Sequence, residues 1–285
     1  MSASVKSLLS TLTSRGPHRV LRGNLGIAGQ PGVVFTPESG RNLPAVVFGH
    51  GWLTSAERYR RLLEHLASWG IVAAAPDTER GPIPSHLGLA ADLLTTLDIC
   101  TGVRLGDGEI SVHPDRLALA GHGMGAGAAV IAAGQREVAA VAALFPAPTA
   151  PAAEQIASGL DTPALILAGA TDMTSIGSNA IPLATAWGGP ALLRALDRAS
   201  RNGIIEGRRV LTAMGMGKHE AKSARLTYAL LTGYLLATMT DDKTYRPFTD
   251  PETVIPHTTV IDPAAPPEEE PQQPKLGQLV TLLRR

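Results

Sequence analysis

Short apolar runs alternate with longer amphipathic stretches along most of the chain. The apolar runs are rich in alanine and β-branched residues, and turn residues separate them from segments of helical periodicity. Buried strands alternating with helices are typical of stacked βαβ units and a mainly parallel sheet. We therefore predict an α/β fold whose eight-stranded sheet is flanked by helices. The predicted strands are residues 18–25, 32–36, 45–48, 71–75, 117–120, 138–145, 164–168 and 209–213.

Several of these elements have recognisable ends. A turn containing Gly and Pro separates the first two strands and predicts an antiparallel hairpin at the edge of the sheet. Thr54 and Glu57 have the spacing of a capping box, and Gly70 supplies the stop of the helix that would follow. Apolar residues four apart predict a second helix around residues 89–97, and Ala221–Met239 predicts a long helix that closes the body.

Composition divides the chain into three parts. Residues 1–16 predict an N-terminal helical segment, and residues 17–251 predict one α/β domain, since a body of this size commonly folds as one unit. Residues 252–285 are rich in Pro and Glu and predict a disordered tail. The tail ends in a short amphipathic segment that is either a docking element for a protein partner or a frayed end. Its apolar face consists of Leu276, Leu279, Val280 and Leu283.

Charge and cysteine content exclude several classes of protein. Lys plus Arg and Asp plus Glu both number 25, so nothing indicates a nucleic-acid partner. The lone cysteine, Cys100, cannot close an intramolecular disulfide, as is usual in reducing compartments. The first residues lack the continuous apolar core of a signal peptide, and no apolar run is long enough to span a membrane. We therefore expect a cytoplasmic protein.

The main candidate for chemistry is the turn after the fifth predicted strand. That strand runs directly into the sequence Gly-His-Gly-Met-Gly at residues 121–125, and small residues follow. A strand, a sharp turn and a helix with outer glycines form a nucleophile elbow, whose middle residue stands exposed. The middle residue here is Gly123, flanked by His122 and Met124, and it offers no hydroxyl, thiol or carboxylate for covalent catalysis.

Two further loops at predicted strand ends carry polar groups. His50, Gly51 and Trp52 follow the third strand, where such a loop lends a backbone N–H to an oxyanion; a tight glycine turn under an aromatic is the alternative. Asp172 follows the seventh strand and His219 the eighth, in the order nucleophile, acid, histidine. A turn aspartate and a surface histidine are the alternatives, but two matches at the right strands favour a triad-like arrangement.

With these motifs the chain resembles the cutinase-like and dienelactone-hydrolase-like branch of the α/β-hydrolases, which includes bacterial polyester hydrolases, over about residues 16–251. The resemblance implies an α/β-hydrolase fold and carboxylic-ester hydrolysis. It makes Gly123 the nucleophile position, Trp52 and Met124 the oxyanion-hole amides, Asp172 the acid and His219 the base.

Departures from that family pattern weigh against its activity. Glycine replaces the nucleophilic serine at position 123, and Ala147 falls where polyester hydrolases place a substrate-stacking tryptophan. The secretion signal and C-terminal disulfide of those enzymes are absent from this sequence. The resemblance therefore does not carry polymer degradation over to this chain.

Three hypotheses about function remain. The favoured one is a pseudohydrolase that binds a small acyl or ester-like ligand or serves as a platform for a protein partner. The second keeps the chemistry, with His219, oriented by Asp172, activating a water for ester hydrolysis. The third is an esterase whose serine has been replaced. No metal is predicted, and no nucleotide cofactor, because Gly121, Gly123 and Ala126 fit a dinucleotide motif without the acidic residue that holds a ribose.

Overall fold

The computed structural model describes residues 4–207 and 220–265. Within them the α-helices are α1 (Val5–Leu12), α2 (Arg60–Ser68), α3 (His86–Gly102), α4 (Met124–Ala133), α5 (Ala153–Ala157), α6 (Ala180–Ala186) and α7 (Ala221–Met239). The strands are β1 (Val20–Asn24), β2 (Gly32–Pro37), β3 (Gly40–Gly49), β4 (Val72–Pro76), β5 (Ile110–His122), β6 (Ala140–Leu144), β7 (Ala164–Gly169), β8 (Ala191–Leu196) and β9 (Thr258–Val260).

These strands form one sheet in the order β1-β2-β4-β3-β5-β6-β7-β8-β9. The six strands from β4 to β8 in that order pair in parallel, whereas β1 with β2, β2 with β4 and β8 with β9 pair antiparallel. The α/β prediction is confirmed, and so is the antiparallel hairpin at the sheet edge. The loops at the carboxyl ends of the parallel strands therefore share one edge of the sheet, where open α/β sheets place their sites.

Both faces of the central sheet are covered, which is why the buried parts of its parallel strands are apolar. Helices α1, α2 and α7 pack on one face, and α3 to α6 pack on the other. Parallel strands that are buried on both sides have near-continuous apolar sequences, and for this reason they could be predicted from the sequence. The predicted helix positions Leu89, Leu93 and Leu97 are fully buried on α3, and Cys100 is buried beside them.

Seven of the eight predicted strands correspond to β1 to β7, but β8 and β9 were not predicted. Strand β8 was missed because Arg194 interrupts its apolar run. That arginine is 1% exposed, and its guanidinium donates to the carbonyl oxygens of Asp250 and Thr253 at 3.0 and 3.1 Å. This anchor holds the chain after α7 against β8. The sheet consequently extends to Val260, past residue 251, where the sequence placed the end of the domain.

The capping box predicted at Thr54 and Glu57 is wrong. A 3₁₀ turn precedes α2, and its N-cap residue, Ser55, makes no side-chain capping bond. The amide of Ala56 donates instead to Asp77 Oδ1 at 2.9 Å. A carboxylate that directly follows β4 therefore caps the turn in place of a residue next to it in sequence. The predicted stop is confirmed, because Gly70 adopts φ +89° directly after the helix.

Some predictions concern residues outside the described ranges. They are the strand at 209–213, His219, and the apolar face Leu276, Leu279, Val280 and Leu283. In the part of the chain that is described, no helix is both long and apolar enough to cross a lipid bilayer. The cytoplasmic location stays a prediction.

Candidate active site

The sharp turn at Gly123 joins the end of β5 directly to the start of α4. Gly123 adopts φ 58° and ψ −118°, a region that residues with a Cβ enter only under strain. Its N–H donates to the Leu144 carbonyl at 3.0 Å, and its own carbonyl accepts from the Ala147 amide at 3.1 Å. The turn is thus held from both sides, by β6 and by the loop that follows β6.

Glycine stands at each of the three positions of this turn for a different physical reason. A Cβ on Gly121 would lie 2.1 Å from the carbonyl oxygen of Gly125, and a Cβ on Gly125 would lie 2.2 Å from that of Gly49. These two positions need glycine because backbones touch there. A Cβ on Gly123 would meet only Gly51 Cα, at 3.9 Å. The space for a nucleophilic side chain is therefore present, and no side chain occupies it.

A hydrogen-bond chain ties the predicted oxyanion loop to the elbow. The Gly51 N–H donates to the Tyr59 hydroxyl at 3.0 Å, and that hydroxyl lies 2.7 Å from His122 Nδ1. His122 Nε2 donates to the Arg201 carbonyl at 2.7 Å, so a neutral ring accepts at Nδ1. Both His122 and Tyr59 are buried. His122 therefore holds three loops together, and both of its ring nitrogens take part in these hydrogen bonds.

Loss of the Tyr59 hydroxyl should loosen this chain. We expect Tyr59→Phe to lower the free energy of unfolding by about 1–3 kcal/mol, since the Gly51 amide and His122 Nδ1 would be left buried without their partner. Urea denaturation followed by circular dichroism measures the change. Tyr234→Phe is the matched control, because the Tyr234 hydroxyl is buried with no partner among the described residues. Equal stability of the two variants would contradict the role given to Tyr59.

His50, the first residue of the predicted oxyanion loop, is fully buried. Its two ring nitrogens lie 2.9 Å from the Gly51 carbonyl oxygen and 2.6 Å from that of Thr78. The buried His50 ring therefore holds the predicted oxyanion loop close to the segment that contains Thr78. Trp52, the next residue after Gly51, is 49% exposed, and its Nε1 donates to the Pro82 carbonyl at 3.1 Å.

The structure brings Arg201, which the sequence analysis did not single out, next to Asp172. Asp172 Oδ2 accepts from the Arg201 backbone amide at 2.8 Å. Arg201 lies in the 3₁₀ turn that follows β8, at the strand end where this arrangement calls for the base. The predicted base, His219, lies outside the described residues. Arg201 could not be singled out from the sequence, because β8, the strand that places it, was not predicted.

An open cavity of about 400 Å³ lies over the elbow. The residues that line it come from the loops described above and from the start of α3. They are Gly51, Trp52, Pro84, His86, His122, Gly123, Met124, Ala147, Pro148, Arg201, Asn202 and Ile205. No aspartate or glutamate is among these described residues. The volume is within the range of small-molecule sites.

The walls of this cavity offer hydrogen-bond donors. Within the described ranges the backbone amides of Trp52 and Met124 donate to no acceptor, and Met124 begins α4, where such amides are left over. His86 Nδ1 accepts the Ala150 N–H at 3.1 Å, so its Nε2 carries the proton. The guanidinium of Arg201 lies against Gly177 and pairs with no described carboxylate. The arrangement suits a ligand that carries acceptor oxygens.

Exposed apolar side chains lie next in sequence to residues that line the cavity. Ile83 is 94% exposed and Leu87 is 53% exposed, and both are neighbours in sequence of the lining residues Pro84 and His86. Leu53, next to Trp52, is exposed as well. The cavity itself combines polar donors at the elbow with apolar lining from Pro84, Ala147, Pro148 and Ile205.

Comparison with known proteins identifies one family. A family model described as PET hydrolase-like matches residues 5–187, which is more than half of the chain. The matched part runs from α1 through α6 and contains Gly123 and Asp172; Arg201 follows it. No curated protein matches the chain.

Proposed function

Because the chain belongs to the PET hydrolase-like family, we propose that it keeps the pocket of an ester hydrolase and uses it to bind a small acyl or ester-like ligand without hydrolysing it. The single observation that carries this proposal is Gly123. The elbow has the backbone geometry and the open space for a nucleophile, but its residue has no side chain to attack with. Loss of a serine nucleophile costs on the order of 10⁶ in turnover.

The environment of Asp172 supports the same proposal. In a triad the acid orients a histidine that takes the proton of the nucleophile. Here Asp172 accepts the backbone amide of Arg201, whose guanidinium stays cationic and cannot act as a base near neutral pH. Position 123 thus supplies no nucleophile, and the residue whose amide Asp172 accepts supplies no base.

The donors that remain fit the recognition of an acyl group. The amides of Trp52 and Met124 suit a carbonyl oxygen, and the apolar lining residues Pro84, Ala147 and Ile205 suit the carbon skeleton attached to it. Removing the nucleophile leaves these binding elements in place. A pocket of this kind would retain ester or acid ligands that an active enzyme turns over.

Binding without turnover can be tested with phenyl acetate. In saturation-transfer difference NMR we expect ligand signals with the full chain, while the ester disappears no faster than in buffer. We expect His86→Trp, which adds bulk inside the cavity, to weaken the signals at least tenfold. His113→Trp is the matched control: His113 is also half-buried and accepts a backbone N–H at 3.1 Å, but it does not line this cavity.

Two outcomes would reject the proposal. The first is hydrolysis of phenyl acetate faster than in buffer that disappears in His219→Ala. It would show the rival mechanism, in which His219 and Asp172 activate water. If no ligand signals are seen, or if His86→Trp and His113→Trp change them equally, the cavity does not bind the acyl ligand. The fold would then be a platform for a protein partner.

A further inference from the structure

The space above Gly123, where a nucleophilic side chain would stand, belongs to the cavity over the elbow. Gly123 lines that cavity. Apart from its own neighbours in the chain, the one atom within 4 Å of a Cβ built on it is Gly51 Cα, at 3.9 Å. In an active hydrolase of this fold the Cβ and Oγ of the nucleophile fill this space. Here a ligand atom can enter it.

Two backbone N–H groups border this space. They belong to Met124, which directly follows Gly123, and to Trp52, which directly follows Gly51, and both residues line the cavity. Each nitrogen is two covalent bonds from the Cα of the glycine before it, so the close approach of Gly51 to Gly123 also brings the two amides near each other. Neither amide donates to an acceptor within the described ranges. Two donors from different loops therefore remain for a ligand.

The charge around the cavity favours an anion. Arg201 lines the cavity, and no aspartate or glutamate does so in the part of the chain that is described. Asp172 lies behind this wall, where its Oδ2 accepts the Arg201 amide at 2.8 Å. Helix α4 begins at Met124 and directs the positive end of its dipole to the same place. A neutral ligand would leave these interactions unused.

A carboxylate has the shape that this space and the two amides require. In the acyl-enzyme of a serine hydrolase, the acyl carbon carries two oxygens: the carbonyl oxygen at the oxyanion amides and the Oγ of the serine. A free carboxylate carries two oxygens on one carbon in the same way, with no bond to the protein. Because position 123 is glycine, no side chain occupies the place of the second oxygen.

An ester fills the same space less well. When its carbonyl oxygen is at the amides, its second oxygen carries an alkyl or aryl group. That group must point away from Gly123, since a carbon in contact with the second oxygen on that side would collide with the glycine backbone. The space above Gly123 then stays unfilled, and the ester brings no charge to the cavity.

From these observations we infer that the cavity binds the free carboxylate of a small acid in preference to its ester. One carboxylate oxygen accepts from the amides of Trp52 and Met124, and the other lies in the space above Gly123. This inference rests on the proposed function and narrows its ligand to the class of molecule that an ester hydrolase releases. Gly123 then has a positive role, because it admits the second oxygen.

Benzoate and methyl benzoate are matched probes for this preference, since they differ only in the group on the second oxygen. In ligand-observed NMR titrations of the full chain near pH 7, benzoate should bind at least about tenfold more tightly than methyl benzoate, because hydrogen bonds to a charged group are worth more than those to a neutral one. The same spectra show whether methyl benzoate stays intact.

Gly123→Ala tests the space itself. Its methyl group would take the place of the second oxygen without supplying a nucleophile. It should weaken benzoate at least about tenfold and change methyl benzoate by less than about threefold. Gly29→Ala is the matched control: Gly29 also has a positive φ, +87°, and nothing lies within 4 Å of its Cβ position, but it does not line this cavity. It therefore reproduces the backbone strain away from the site.

Arg201→Gln tests the contribution of charge. It should weaken benzoate at least about threefold and leave methyl benzoate unchanged, since only the acid is an anion. Arg198→Gln is the control, because Arg198 is an exposed arginine three residues earlier that does not line the cavity. Equal weakening of benzoate by the two variants would assign the effect to overall charge and overturn the inference.

The remaining outcomes separate this inference from the proposed function. Benzoate that binds no more tightly than methyl benzoate, or that Gly123→Ala weakens no more than Gly29→Ala does, would overturn the carboxylate preference. If phenyl acetate still binds in that case, the proposed function stands. If none of the three compounds binds, or if the full chain hydrolyses methyl benzoate, both proposals are wrong.

Discussion

The double variant Gly123→Ser/Arg201→His is expected to hydrolyse p-nitrophenyl acetate at least about 100-fold faster than either single variant, because a positioned general base contributes roughly 10²–10⁴-fold. Serine alone would supply a nucleophile without a base, and histidine alone a base without a nucleophile. Groups that act as one unit show strongly non-additive effects. Release of p-nitrophenol, followed spectrophotometrically for the four proteins in parallel, measures the difference.

The geometry at both positions supports this expectation. A side chain at Gly123 would meet only one atom, Gly51 Cα, at 3.9 Å, so the hydroxyl has room above the elbow. The positive φ of that residue costs serine about 1–3 kcal/mol, which the fold must tolerate. A histidine at position 201 would keep the backbone amide that Asp172 accepts, and position 201 lines the same cavity as Gly123.

The single variants decide between two candidate bases. High activity in Gly123→Ser alone, abolished by adding His219→Ala, would show that His219 is the base and that Arg201 is not in its place. High activity in Gly123→Ser alone that survives His219→Ala would point to a base from neither position. Arg201→Lys in the Gly123→Ser background is the control, since it keeps the positive charge and should remain inactive.

Gly125→Ala is expected to lower the free energy of unfolding by about 4 kcal/mol or more, a loss that is exceptional for a single methyl group and large beside typical total stabilities. The new Cβ would lie 2.2 Å from the Gly49 carbonyl oxygen and 2.5 Å from that of His50. Both atoms belong to the backbone at the end of β3, so neither can rotate away. Strand β3 and helix α4 would have to separate.

Gly123→Ala serves as the reference for this variant. It places the same methyl group two residues away, in open space, and should cost only the backbone strain of about 1–3 kcal/mol. Soluble yield and urea denaturation of both variants measure the contrast. If Gly125→Ala were no less stable than Gly123→Ala, the close approach of the elbow helix to β3 would be wrong.

The elbow and most of the sheet could be predicted because their signals are local. Strand β5, the turn at Gly123 and helix α4 follow one another in the sequence, and strands buried on both faces leave continuous apolar runs. The hairpin of β1 and β2 has its turn residues between its strands. Strand β8 gave no such signal, since Arg194 interrupts its apolar run and donates to carbonyls from a segment more than fifty residues away.

The sequence by itself thus determined the fold class, the elbow and the missing nucleophile, because each depends on neighbouring residues. Only the tertiary structure placed Arg201 beside Asp172, since that contact depends on the register of β8 against β7. The cavity over the elbow has the same origin: His86, Gly123 and Arg201 come from separate segments that meet only when the segments after β4, β5 and β8 come together at one edge of the sheet. Packing, and not chain order, decides which side chains face a shared cavity.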